Sequence, residues 1–492
     1  MRARWRTASR EELIAELERQ QQEIARQQHE IERLRRDQER AGKARNRYRR
    51  ERDALRKKIE RLEDDLDAAR RAAHRQAAPF SRGAPKRRPR RPGRRTGLAH
   101  GRHAHRPVPP HIDETHAAPL PPACPHCGGP VRLTRQARQY QEDLPRIQPV
   151  VRAFTIAIGA CTACHRRIQG RHPLQTSDAL GAAAAQVGPA AVTIAAVLHK
   201  QLGLPLGKIS ALFRERFGLH VTAGGLVHAL HRAARQAGPT YAQLCETVRG
   251  SPVVSPDETG WKVGGHSQWL WAAVTPDTTI YAIQPGRGSE EAARLLGPDF
   301  AGVLVRDGWV AYRQFDRAVH QTCVAHLLRR CRDLVRDHRD HRFAPAVAAL
   351  LRRGLRVRDR WHAGALSPHG VAVARGHLFN QLNTLIDHPG PARVAQTCAA
   401  HLAIECPAAF TFLLDPTIDA TNWRAEQALR PAVVTRKVSG GNRTARGAHT
   451  QEVLASVLRT VHQRHLDAGS VFHALLCAPT PVDVLAPSPS AR

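Results

Sequence analysis

Two short apolar runs each lead straight into an aspartate followed closely by glycine, and no other feature limits the possible folds of this chain as much. The first is Ser251-Pro-Val-Val-Ser-Pro-Asp-Glu-Thr-Gly260, and the second is Gly302-Val-Leu-Val-Arg-Asp-Gly-Trp309. Apolar and β-branched runs closed by glycine read as buried strands, so Asp257 and Asp307 are expected where strands stop. Between them, residues 268–274 and 278–283 read as two more strands, joined by a turn at Thr275-Pro-Asp277. Two carboxylates at the tips of neighbouring strands suit one hard cation. Glu258 alternates to the opposite face of the strand and is left out of that site.

The N-terminal third lacks the material for a core. Ser9-Arg-Glu-Glu12 is a capping box, and a seven-residue frame after it places Leu13, Leu17, Ile24, Ile31 and Leu34, then Leu55, Ile59, Leu62 and Leu66, along one seam. The seam fails near Arg45 and Arg52, so residues 1–77 are expected to be a two-segment coiled coil for self-association. Residues 82–106 carry many arginines, several prolines and glycines and no acidic residue. A basic disordered linker over 78–118 follows, suited to phosphate contact without sequence preference. The formal net charge of +33 points the same way, toward nucleic acid. No apolar run is long enough to span a bilayer and no secretory signal is visible, which gives an expectation of a cytoplasmic, nucleoid-associated protein without a membrane partner.

Cys124-Pro-His-Cys127 and Cys161-Thr-Ala-Cys164 each have the spacing of a chelating turn, and four thiolates make the closed tetrahedral set that structural Zn2+ takes. A zinc ribbon over 119–175 is expected, with strands at 131–133 and 150–156. Cys245, Cys331, Cys398, Cys406 and Cys477 have no ligand spacing and read as small buried or half-buried residues. Residues 189–202, 206–217 and 222–235 read as three helices, the last capped by Thr222 and preceded by the turn Gly218-Leu-His-Val221. Leu206, Ile209, Leu212, Phe213 and Phe217 form the buried face of the second. A helix-turn-helix over 185–240 is therefore expected, its third helix reading DNA.

Beyond Asp307 come a strand at 319–322, then Cys323-Val-Ala-His326, then a long arginine-rich helical region assigned as an insertion over 331–414. Asp419-Ala-Thr-Asn-Trp-Arg-Ala-Glu-Gln-Ala-Leu-Arg430 has helical spacing, with Asn422 and Glu426 on one face, before Pro431 and a glycine loop at Gly440-Gly-Asn-Arg443. Three carboxylates on a basic background suit phosphoryl transfer with two Mg2+ ions, which stabilise both the attacking and the leaving oxygen.

The ordered set of coiled coil, basic linker, paired Cys-x-x-Cys, helix-turn-helix, Asp257-Glu-Thr, Asp307-Gly-Trp-x-Ala-Tyr, Cys323-x-x-His and Asn422-x-x-x-Glu-x-Ala-Leu-Arg-Pro resembles transposases of the insertion-sequence-66 family over nearly the whole chain. The resemblance implies a multidomain α+β protein with a ribonuclease-H-like α/β catalytic core over 250–330 and 415–465, followed by a tail at 466–492. It implies that Asp257, Asp307 and Glu426 are the catalytic carboxylates and the ligands of Mg2+ or Mn2+, and that Arg430, Arg436 and Lys437 contact DNA. Transposon ends and target DNA are the implied substrates, with homo-oligomers through the coiled coil and accessory proteins of the element as implied partners. The sequence departs from the family pattern at Thr421, at Gln427 and in the glycine loop. An inactive DNA-binding regulator descended from such an enzyme is the alternative, and a nuclease acting on RNA or on DNA junctions is the third reading.

Overall fold

The computed structural model describes residues 10–12, 14–28, 30–33, 107–180 and 186–485. The capping residue Ser9, the seam positions Leu13, Leu34, Leu55, Ile59, Leu62 and Leu66, and the 82–106 linker lie outside the described residues. The chain divides into two compact parts, residues 1–136 and 137–492. In the first, the described residues of 10–33 are helical, and Leu17, Ile24 and Ile31 stand exposed along that helix at seven-residue spacing.

The second part begins with a short hairpin of β1 (Ile158–Ala160) and β2 (Arg167–Gln169), which flanks Cys161 and Cys164. No strand forms at 131–133 or 150–156, where strands were expected. Val150 and Val151 are almost fully exposed, so their β-branched character finds no surface to pack on.

Four helices follow: α1 (Pro189–Ala196), α2 (Leu206–Phe217), α3 (Ala223–Gln236) and α4 (Gly238–Arg249). The first stops being α-helical six residues earlier than expected and continues as a π-helical segment, Val197–Gln201. Ile209 and Phe213 bury the face of α2, and the Thr222 hydroxyl accepts the Gly225 N–H at 3.0 Å as the cap of α3. Helix α3 is not a freestanding reader. Its Ala229, Leu230 and Ala233 share one apolar cluster with the sheet and the C-terminal helices, leaving Thr222, Gly224, His228 and Arg235 exposed.

The sheet comprises β3 (Val253–Val263), β4 (His266–Val274), β5 (Thr279–Gln284), β6 (Val303–Arg306) and β7 (Val319–Thr322), in the order β5-β4-β3-β6-β7. The first three strands are antiparallel, while β6 runs parallel to β3 and β7 parallel to β6. Helix α5 (Ser289–Leu296) makes the crossover between β5 and β6. Alternation along the strands serves two faces. Val254, Trp271, Ala273, Ile280 and Leu304 pack with α3, α4 and α5, whereas Trp261, Leu270, Ala272 and Tyr281 pack against α10 (Trp423–Ser439). Helices α11 (Ala445–Gln463) and α12 (Ala468–Cys477) close the first face.

Between β7 and α10 lies a helical insertion: α6 (Val324–His338), α7 (Phe343–His362), α8 (Pro368–Asp387) and α9 (Arg393–Glu405). It has its own apolar core, which reaches the sheet through Val305 and Val324. Cys331, Cys398 and Cys406 are buried and Cys245 and Cys477 half-buried, as the sequence leads one to expect. No helix among the described residues is long and apolar enough to cross a membrane.

Candidate active site

Strand β3 does not stop at Asp257. Its antiparallel pairing with β4 runs from Ser255 opposite Val274 to Val263 opposite His266, carrying the strand straight through the aspartate and through Gly260. What ends there is the pairing with β6, whose register sets Val253 opposite Val303 and Val254 opposite Leu304. Asp257 comes three residues beyond Val254 on β3, and Asp307 three beyond Leu304, just past the end of β6, so both lie where the two strands part. Asp257 Oδ1 accepts its neighbour Glu258 N–H at 2.9 Å within the strand, and Asp307 Oδ1 accepts the Trp309 N–H at 2.9 Å in an Asx-type turn, so a nearby backbone N–H holds each carboxylate.

The third carboxylate arrives through α10, which is laid along β3 by a series of ties. Asn422, expected on the helix face with Glu426, is instead the N-cap residue, with its side chain turned inward. Its Nδ2 donates to the carbonyl of Pro256, next to Asp257, at 2.8 Å, and its backbone N–H donates to Cys323 Sγ at 3.2 Å. Cys323 therefore joins the start of α6 to the start of α10, a link reinforced by Val324 N–H donating to Ala420 O at 3.0 Å. Farther along, Arg436 donates to Thr259 Oγ1 at 3.1 Å and to the Gly260 carbonyl, which removes it from the exposed basic set expected from sequence. Helix α10 also runs through Pro431, a residue that usually interrupts a helix. Burial of Ala428, Leu429 and Ala432 on the sheet holds the helix together across the missing donor.

Glu426 sits in the first turn of α10 and is about one-third exposed, 3.8 Å from His326 Nε2 and 3.7 Å from Arg329 Nη2 of α6. Arg430 and Lys437 are exposed and, at four and eleven residues beyond Glu426, lie on the same helical stripe. A cleft of about 260 Å³ runs along α6 from His326 and Arg329 to His338.

Charge is crowded at this centre. Burial, then the adjacent Glu258 and the Asp307 and Glu426 carboxylates, push Asp257 up to about 7. Burial, then Arg329, hold His326 below the usual imidazole range. Glu258 serves the other face of β3: it is buried, accepts Arg287 Nε at 2.6 Å and accepts the Tyr312 hydroxyl at 2.6 Å. Arg287 is in turn stacked between Trp269 and Trp309, so Glu258 anchors the sheet rather than the acidic centre.

Among the described residues, no three carboxylates, histidines or cysteines are drawn together as a ready-made metal cage. The donor chemistry nonetheless fits a hard divalent cation: oxygen ligands only, crowded and partly buried, with Asp257 held toward its neutral form until a positive charge offsets its neighbours. His326 and Arg329, which contact Glu426, carried no sequence assignment; the only signal was the Cys323-x-x-His326 spacing, one helical turn from the Cys323 cap.

The two Cys-x-x-Cys turns have the same backbone form. Cys124 N–H donates to Gly129 O and Gly128 N–H to Cys124 O; Cys161 N–H donates to Arg166 O and His165 N–H to Cys161 O. Backbone N–H groups of His126 and Cys127 lower the Cys124 thiol below its usual range, and those of Cys164 and Ala163 do so for Cys161.

Fold and site together define a mixed α/β protein whose acidic centre lies beside basic helices. Residues 184–450, more than half of the chain, match the family described as Transposase IS66 family, and the protein belongs to it. It is also similar to an uncharacterized protein, y4qI, of Sinorhizobium fredii (strain NBRC 101917 / NGR234), with 24% identity over 296 residues, 54% of each chain. The chain spans about half the length of that curated relative.

Proposed function

We propose that the protein is a metal-dependent DNA transposase that cuts at the ends of its element and joins the 3′-ends to target DNA. The observation supporting this reading is that Asp257 and Asp307 each come three residues beyond the last paired residues of β3 and β6, beside a helix tied along β3 that carries Glu426. The strand order, with three antiparallel strands followed by two parallel ones on the side of the first, supports a ribonuclease-H-like core. Asp257, Asp307 and Glu426 would hold Mg2+ or Mn2+, which supplies Lewis acidity at the attacking and leaving oxygens. Arg430 and Lys437 bind the phosphates that flank the scissile bond, while Arg436 holds α10 in place. Helix α3 offers its exposed first turn to DNA. Strand transfer on oligonucleotides bearing the element's ends, with Mg2+ or Mn2+, tests the proposal. Cleavage by Asp307→Asn at the wild-type rate would refute it.

An inactive DNA-binding regulator is the second reading, favoured by the pairing of Glu426 with Arg329 and His326. Tight, salt-sensitive DNA binding without metal-dependent nicking selects it.

The two Cys-x-x-Cys turns are proposed as structural Zn2+ ligands. Elemental analysis after growth in zinc-replete medium is expected to find zinc, and Cys124→Ser/Cys127→Ser to reduce it; zinc-free wild-type protein rules the assignment out. The exposed Leu17, Ile24 and Ile31 stripe is proposed to pair between copies of the chain. Deleting residues 1–77 is expected to lower the solution mass to that of a monomer, and an unchanged oligomeric state argues against the pairing.

A further inference from the structure

The loop carrying Asp307 is contacted at two points by one helix of the insertion. On the strand side, Arg306 Nη1 donates to the carbonyl of Asp307 at 2.9 Å and to Glu405 Oε2 at 2.5 Å. Glu405, the last residue of α9, is completely buried and also accepts Thr322 Oγ1 at 2.6 Å and Arg313 Nη2 at 3.0 Å. Arg306 and Thr322 are register partners on β6 and β7, so one carboxylate ties both strand ends to the insertion. At the next residue, a Cβ on Gly308 would lie 3.1 Å from His401 Cε1, which means α9 packs directly on the backbone after Asp307. His401 and Glu405 are one turn apart and share a face of α9.

We infer that α9 is a positioning clamp for Asp307, with Glu405 acting through Arg306 and His401 through Gly308. The inference rests on Asp307 being a catalytic carboxylate. The Arg306 guanidinium orients the peptide that begins at Asp307, and with it the direction of the carboxylate. An ion pair buried this deeply gives little net stability over an apolar pair. Its geometric role is specific: a planar donor reaches the loop carbonyl and the insertion carboxylate at once.

Glu405→Gln keeps the shape and removes the charge. In the full-length protein it is expected to raise the half-saturating Mg2+ concentration for cleavage at least fivefold and to shrink the Mg2+-induced rise in melting temperature. Metal-free DNA affinity is expected to stay unchanged. A folded variant with wild-type Mg2+ half-saturation and wild-type Mg2+-induced stabilisation overturns the clamp, even if its melting temperature has dropped. If Glu405→Gln does not fold, Gly308→Ala takes its place. It is expected to raise the half-saturating Mg2+ concentration several-fold, and the added His401→Ala to bring it back; no rise, or no recovery, overturns the clamp. Asp307→Asn is measured alongside. Cleavage by that variant removes the catalytic reading itself, whereas an inactive Asp307→Asn beside a normal Glu405→Gln removes only the clamp.

Discussion

Asp257→Asn is expected to lower metal-dependent cleavage by roughly a thousand-fold or more and, in metal-free buffer at pH 8, to make the protein more stable than the wild type. The second effect follows from the cost of a buried charge. Asp257 is pushed up to about 7 from an ordinary 3.8 by burial and by the carboxylates around it. A carboxyl whose folded value is raised contributes its full stability below the unfolded value and loses it as the pH rises through the folded one. That contribution is therefore complete only below the unfolded value of 3.8 and is gone by about pH 8. A difference of this size corresponds to at most about 4 kcal/mol. Asparagine has no charge to bury, so the variant should melt several degrees higher than the wild type at pH 8 and nearly level with it near pH 4. Mg2+ should reverse the order at pH 8 by stabilising the wild type alone. A melting difference independent of pH, or none at pH 8, contradicts this account of the acidic centre.

Gly441→Ala is expected to unseat the far end of α10. Gly441 has φ +107°, and a Cβ there would stand 2.3 Å from the Lys262 carbonyl oxygen, which is backbone and unable to yield. The next residue makes the attachment that the glycine permits: Asn442 N–H donates to Lys262 O at 2.9 Å, Gly264 N–H donates to Asn442 O at 2.9 Å, and Trp261 Nε1 donates to Asn442 Oδ1 at 2.8 Å. Strain and lost hydrogen bonds together predict a cost of about 2–4 kcal/mol. Cleavage should fall even at temperatures where the variant remains folded, because α10 carries Glu426. Gly440 supplies the contrast: it also has a positive φ, at +75°, but nothing lies within 4 Å of an added Cβ. Gly440→Ala should cost only about 1 kcal/mol. Equal losses for the two variants would mean that the close approach to β3 is unimportant.

The acidic residues were legible in the sequence because strands and helices impose periodicity. Apolar runs marked β3 and β6, Thr222 marked the start of α3, and Glu426 stood out within a helical pattern. Periodicity says less about where an element ends. The strand continues through Asp257 because β4 supplies a pairing partner on its other side, and α10 survives Pro431 because the sheet buries its apolar face. At 131–133 and 150–156 the β-rich residues found no such partner and formed no strand. Local preference is a weak term that packing overrides in both directions.

The chain's own order of residues determined its basic character, the two cysteine turns, the family to which it belongs and the carboxylates worth testing, since each depends on residue type and short spacing. Only the tertiary structure decided which groups meet across long separations. It brought Glu405 to Arg306, Asn422 to Pro256 and Cys323, Asn442 to Lys262, and His326 with Arg329 to Glu426, and it turned Arg436 away from the exposed basic face. Such contacts depend on register and on the path of the chain through space, neither of which leaves a local mark in the sequence.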